Sequence, residues 1–360
     1  MRSERDFTWE GRPGRVVFGA GSLQHLEREV QALGASRALV LCGPQQRATA
    51  EALAARLGPR AAGVFDGAAM HVPIEVARQA RALARQAGAD LAIAVGGGST
   101  IGLAKAIALA SGLPILAIPT TYAGSEMTPI HGITEGGLKK TGRDARVLPR
   151  CVIYDPDLLA SLPAALAVTS GFNAIAHAAE GLYAADGNPV MDLMAQEGIR
   201  ATAAALPLLA NGTDDERRPA RADALYGAWL CGTVLGSVVM GLHHKLCHTL
   251  GGSFDLPHAE THTVMLPHTL AYNASHAPQA LARIAGALGA PGNAPEAIFR
   301  LQQATGAPTS LRELGMPESG LDRVAELAVQ TPYPNPRPLE RGALRALLQR
   351  AYDGAGPQAR

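Results

Sequence analysis

The 360-residue sequence predicts two parts: an N-terminal α/β domain on a parallel sheet, residues 1–157, and an all-helical C-terminal domain, residues 158–360. Three observations carry this expectation. Short apolar runs alternate with helically spaced segments through residue 155. Several of those runs are apolar at every position rather than every second one, as parallel strands covered on both faces are. After Asp155-Pro156-Asp157 the texture changes to Ala- and Leu-rich helical stretches broken by Pro and Gly.

In chain order, the expected strands are 16–18, 38–42, 63–65, 91–95, 115–118 and 152–154. Helical spacing covers 22–33, 48–57, 74–87 and 101–110 between them. Beyond 158 no β-branched run stands out, and the tail 351–360 reads as frayed. The apolar content is 47% and the net charge +1, which excludes a disordered chain. So even a balance, 32 basic against 31 acidic residues, also argues against a nucleic-acid or membrane-surface protein. The longest largely apolar stretch, 230–242, contains three glycines and is shorter than the roughly 20 residues a membrane span needs. The charged start, residues 1–10, lacks the apolar region of a secretory leader. Four scattered cysteines with no CxxC fit reduced thiols, so a cytoplasmic protein is expected.

The fourth expected strand runs into Gly96-Gly97-Gly98-Ser99 and then a helix. Glycines at a strand-to-helix turn let backbone approach a ligand, and the exposed N–H groups of the helix start favour a pyrophosphate. The fifth strand ends in Thr120-Thr121-Tyr122-Ala123-Gly124-Ser125, a loop of hydroxyls and small residues suited to ribose and phosphate. After the second strand, where a dinucleotide fold usually places an acid against the ribose, Cys42-Gly43-Pro44 stands instead. NADH and NADPH are therefore both open as cofactors.

Histidines concentrate in the second half. Asn173 and His177, four apart, share a helix face, as do His244 and His248. His258 follows, and Lys245 lies among them. A single histidine is ordinarily a core or surface residue, but several imidazoles beside a lysine point to a polar functional pocket. His177, His244 and His258 suit a divalent metal, but the uncharged amide of Asn173 supplies no anionic ligand beside them.

These residues together resemble the iron-containing alcohol dehydrogenase superfamily, and within it the maleylacetate reductases. The resemblance is carried by GGGSTIGLAKAIAL, IPTTYAGSEMTPI, TSGFNAIAHAAEGLYA, DALYGAWLCGTVLGS, HHKLCHTLGGSFDLPHAETHTVMLPH and NPRP. It implies the dehydroquinate synthase-like fold, with cofactor-binding residues at Gly43, Gly96, Gly97, Gly98, Ser99, Thr120, Thr121, Tyr122 and Ser125. It also implies that the superfamily's Asp-and-three-His metal set falls on Asn173, His177, His244 and His258, with a further pocket histidine at His248. Asn173, together with Gly102 where many metal-dependent relatives carry Asp, agrees with the maleylacetate reductase pattern, for which no catalytic metal is expected.

The implied reaction is NADH- or NADPH-dependent reduction of a carbon–carbon double bond conjugated to a ketone, in the breakdown of aromatic compounds. His177, His244 and His258 would serve as oxyanion donors and proton source, with His248 nearby. The small-molecule substrate is a dicarboxylate, for which Lys245 and Arg337 are the candidate cations, with Lys140, Arg143 and Arg146 as weaker ones. A homodimer is implied, with no nucleic-acid or membrane partner. The alternative is a metal-dependent alcohol or hydroxyacid dehydrogenase.

Overall fold

The structure, a computed structural model, describes residues 11, 14–136, 138–290 and 292–358. The start of the chain, 1–10, and the last two residues lie outside the described residues, so the readings of a missing leader and of the extreme tail are not addressed there. The chain divides into two compact units, the first ending at Leu162 and the second beginning at Pro163.

The first unit runs β1 (Arg15–Phe18), α1 (Leu26–Ala32), β2 (Ala38–Leu41), α2 (Arg47–Leu57), β3 (Ala61–Phe65), α3 (Ile74–Gln86), β4 (Leu91–Gly96), α4 (Gly98–Ser111), β5 (Ile115–Pro119), β6 (Ile130–Glu135), β7 (Leu138–Arg143) and β8 (Cys151–Tyr154). Six strands form one sheet in the order β1-β8-β5-β4-β2-β3, with every pairing parallel. Strands β2, β4, β5 and β8 are buried at every residue, while the edge strands β1 and β3 are partly open. Fully burying a Val, Leu or Ile side chain gains about 1.5–3 kcal/mol, more than the ~1 kcal/mol spread of strand propensity. Apolar continuity therefore decides which runs become central strands. Leu26, Val30, Leu53 and Leu57 of the helices close over Val40, Ile93, Val95, Leu116 and Ile153.

One element departs from the expected layout. Strands β6 and β7 form an antiparallel hairpin after β5, where only a loop was expected. Lys140 on it pairs with Glu135 at 3.0 Å, and Arg146 just beyond pairs with Asp144 at 2.7 Å.

The second unit is helical throughout its described residues: α5 (Ala164–Gly181), α6 (Pro189–Asn211), α7 (Asp214–Ser237), α8 (Leu242–Phe254), α9 (His258–Asn273), α10 (Pro278–Ala287), α11 (Ala294–Thr305), α12 (Leu321–Gln330) and α13 (Arg341–Asp353). Helix α5 is buried from Ala167 to Gly181. Its small residues permit close packing: a Cβ at Gly171 would stand 2.5 Å from Leu206 of α6. Helix α7 opens with a reciprocal capping box between Thr213 and Glu216, and Asn188 caps α6 through Val190 and Met191. A core of Leu242, Leu246, Val264, Met265, Val324, Leu344 and Leu348 joins α8, α9, α12 and α13. The tail reading is corrected in part, because Ala351 to Asp353 complete α13 with Ala351 and Tyr352 buried; the helix stops at Gly354, left-handed at φ +67. No single helix among the described residues is long and apolar enough to cross a membrane.

Candidate functional site

In the first unit, the carboxyl ends of β2, β4 and β5 lie side by side. The chain leaves β2 towards β3 and leaves β4 towards β5, in opposite directions, so the strand order reverses between β2 and β4. Open α/β sheets bind ligands at such a reversal. Gly43 follows β2 at this point, and Gly96 to Ser99 link β4 to α4. Gly96 adopts φ +152, and a Cβ there would run into the Thr100 side chain. Only glycine fits. The N-terminus of α4 has no side-chain cap and no acid in its first turn, which leaves its first N–H groups for an anion. Thr120 is tied back by its N–H to the Gly96 carbonyl at 3.1 Å. A Cβ on Gly97 would stand 3.0 Å from Thr121. The two expected loops therefore touch. Tyr122 is buried and Ser125 half-buried.

In the second unit, α5 presents Asn173, His177 and Glu180 on one face, four and three residues apart. Helix α8 meets that face end-on. The Glu180 carboxylate accepts from the backbone N–H of His243 (2.8 Å) and of His244 (3.3 Å), and from Nδ1–H of His244. Burial alone would raise the Glu180 carboxyl. Its hydrogen bonds and the neighbouring imidazoles outweigh that and hold it below the usual range. Gly241 makes this docking possible, since a Cβ there would stand 3.2 Å from Glu180 Oε1 and 2.7 Å from the Pro334 carbonyl. The far side of the His244 ring, Nε2, lies 2.8 Å from Nδ1 of His177. Glu180, His244 and His177 thus form one buried chain.

A second chain lies beside it. The Thr269 hydroxyl donates to helix carbonyls of Met265 and Leu266, so it accepts from Nδ1–H of His243 at 3.0 Å. Nε2 of His243 then accepts from Nδ1–H of His262 at 2.9 Å. Burial keeps both rings neutral, lowering His243 to about 3 and His262 well below its ordinary value. The His262 ring stands among the others, its centroid 4.4 Å from His258, 4.9 Å from His244 and 6.0 Å from His177. His248 and His258 are the exposed rings, stacked at 6.1 Å. Donor atoms of His243, Cys247 and His262 lie within 4.8 Å of one another. Burial, with Glu180 adding, pushes the Cys247 thiol well up, which leaves it protonated and a poor ligand.

The structure therefore brings His177, His244, His248 and His258 into one cluster. The Asn173 Oδ1 atom is buried with no hydrogen-bond partner. Lys245 lies half-buried on α8. Arg337 stacks over Tyr272 at 4.2 Å and reaches its carbonyl at 3.3 Å. The sequence reading missed Glu180, and it counted His243 and His262 among the clustered histidines without placing them in the site. The signal for Glu180 was present, because it stands three residues after His177 on the same helical face.

The described geometry has recognisable relatives. Residues 13–156 match the "Iron-containing alcohol dehydrogenase" family and residues 167–352 the "Fe-containing alcohol dehydrogenase family, C-terminal". The chain is 65% identical over 352 residues to a maleylacetate reductase of Burkholderia cepacia, covering 98% of this chain and 99% of that one. It is 54% identical to one of Sphingobium indicum, covering 98% and 99%. The crystal structure of maleylacetate reductase from Agrobacterium tumefaciens superposes with a TM-score of 0.94 at 55% identity, covering 98% of this chain and 100% of that one.

Proposed function

The chain belongs to the iron-containing alcohol dehydrogenase family and is an oxidoreductase, and from that premise we propose that it reduces 2-maleylacetate to 3-oxoadipate with NADH or NADPH and without a catalytic metal. The reaction is a step in the breakdown of aromatic compounds. Residues 1–157 hold the cofactor through Gly43, Gly96–Ser99 and Thr120–Ser125, residues 158–360 handle the dicarboxylate, and the enzyme is a homodimer.

One observation carries the metal-free reading: the ring nitrogens of His177 and His244 face each other at 2.8 Å, with Glu180 behind them. Those nitrogens satisfy one another, and the fourth position of the family set is the uncharged Asn173. A divalent ion there would lose the charge neutralisation and the strong ligand that a carboxylate at 173 supplies, and would have to displace the His177–His244 hydrogen bond. A metal-dependent dehydrogenase is the second reading, favoured by the unpartnered Asn173 Oδ1.

Held at Gly43, Gly96–Ser99 and Thr120–Ser125, the reduced nicotinamide would supply a hydride to the alkene carbon β to the ketone. The displaced electron pair moves onto the ketone oxygen as an enolate, and the α-carbon then takes a proton. An enolate is a delocalised anion, so imidazole donors stabilise it without a Lewis acid. The exposed His248 and His258 serve the ligand directly. The Glu180 carboxylate fixes the tautomer of His244, and His244 in turn orients His177. Lys245 and Arg337 balance the substrate carboxylates.

The test follows absorbance at the nicotinamide band with 2-maleylacetate and each reduced cofactor, before and after chelation, alongside elemental analysis. Cofactor oxidation that survives chelation, with iron and zinc far below one per subunit, is expected. His244→Ala should lower kcat by about 10²–10⁴-fold. Activity lost to chelator and restored by a metal overturns the metal-free reading. No oxidation of either cofactor overturns the substrate.

A further inference from the structure

Helix α4 carries the glycine turn at its start and, two turns on, Lys105, which is 0% exposed. A buried lysine in an apolar helix is costly unless its ammonium finds oxygen acceptors. Here it finds five. Nζ donates to the carbonyl oxygens of Ser125 (2.6 Å), Thr128 (2.9 Å) and Ile130 (2.8 Å). It also lies 2.9 Å from the Thr128 hydroxyl and 3.3 Å from that of Ser125. All five belong to the segment that leaves the Thr120–Ser125 loop and enters β6.

We infer that Lys105 is a positioning residue for nicotinamide-cofactor binding, its ammonium acting as an internal cation that ties the loop after β5 to the helix whose N-terminus receives the pyrophosphate. The inference rests on the cofactor site proposed above. The loop is already tied at its near end, where Thr120 N–H meets the Gly96 carbonyl. Lys105 fixes its far end, and Thr120 to Ser125 span the interval between the two ties. The ammonium has three hydrogens for three carbonyls. A neutral amine would leave one of those carbonyls without a hydrogen, so the charged form suits the cradle. Burial opposes that form, lowering the lysine to about 7, and the buried Glu126 favours it. Glu126 is itself held by the Tyr154 hydroxyl at 2.8 Å.

Lys105→Met keeps an unbranched side chain, one heavy atom shorter, and removes the charge and every donor. The purified full-length variant is compared with wild type by thermal melting, by fluorescence titration with NADH and NADPH, and by steady-state kinetics with 2-maleylacetate. A misplaced binding loop costs about tenfold or more. The expected result is a folded variant whose cofactor Kd and KM rise about tenfold, while the KM for maleylacetate stays within about twofold. A folded variant with wild-type cofactor affinity overturns the inference. Should Lys105→Met not fold, Thr128→Val decides, since it removes one hydroxyl of the cradle. A several-fold rise in cofactor KM alone supports the inference. A lowered melting temperature with both KM values unchanged overturns it. Wild-type protein that binds neither cofactor would instead remove the cofactor-site reading and take this inference with it.

Discussion

His268 shows how one buried side chain governs behaviour in acid. It lies 3% exposed in α9, and its Nε2 has no hydrogen-bond partner. Burial, with Arg350 contributing, lowers its pKa from 6.5 to about 4. In the unfolded chain the same ring takes a proton near 6.5. Between those values the unfolded state binds more protons than the folded one. Stability therefore falls as pH drops through that window, by up to about 1.4 kcal/mol per pH unit from this residue, and is unaffected above it. His243, lowered to about 3, acts in the same direction. Urea unfolding from pH 7 to 4.5 should show wild type losing stability more steeply than His268→Leu. Equal slopes would show that His268 does not titrate as its surroundings imply. At this scale the sequence was informative where chemistry follows helical spacing, as for Asn173 with His177. It was silent on Lys105, whose acceptors lie 20 to 25 residues further along the chain. It was also silent on the stacking of Arg337, whose partner Tyr272 is 65 residues away.

At the scale of elements, α4 carries a packing constraint in its second turn, where half-buried Gly102 lies among buried residues. A Cβ on Gly102 would stand 2.7 Å from Val72 Cγ2. Val72 has little freedom to retreat: it adopts φ +50 beside His71 at φ +61. Its carbonyl accepts from Thr134 N–H at 3.0 Å, and that of His71 from the Thr134 hydroxyl at 2.8 Å. Left-handed backbone at a β-branched residue is strained, and it persists here because the hairpin strand β6 holds it. Gly102→Ala should therefore cost about 1–3 kcal/mol as an overpacked contact, measured by urea unfolding. Adding Val72→Ala should recover most of that loss, and additive losses in the double variant would refute the contact. Gly102→Asp, the residue many metal-dependent relatives carry, should cost more. The central strands β2, β4, β5 and β8 were legible because each is apolar along its length, the pattern that double-sided burial requires. The β6–β7 hairpin was not. Ile130 to Glu135 is half-buried without clear alternation, its glycines read as loop, and its pairing depends on a turn that composition alone does not single out.

For the whole molecule, the change of texture near residue 157 was legible because a parallel sheet and a helical bundle bury apolar surface with different periods. Each unit has its own core, one centred on Ile93 and Leu116, the other on Val264 and Leu344. The proposed division of labour can be read out separately in each, since a ligand stabilises the region it touches by RT ln(1 + [L]/Kd), about 2.7 kcal/mol at a hundredfold excess over Kd. Hydrogen exchange of the full chain reports such protection amide by amide. With reduced nicotinamide cofactor alone, slowing should appear at residues 96–101 and 120–128. With 3-oxoadipate alone it should appear at the C-terminal half of α5 and the first turns of α8 and α9, where Glu180, His244, His248 and His258 reside. Protection by 3-oxoadipate confined to the first unit, or by cofactor confined to the second, would overturn the assignment of the two ligands to the two units. Slowing spread evenly over both would refute the division itself, because a binding event that orders every element alike has no local site to report.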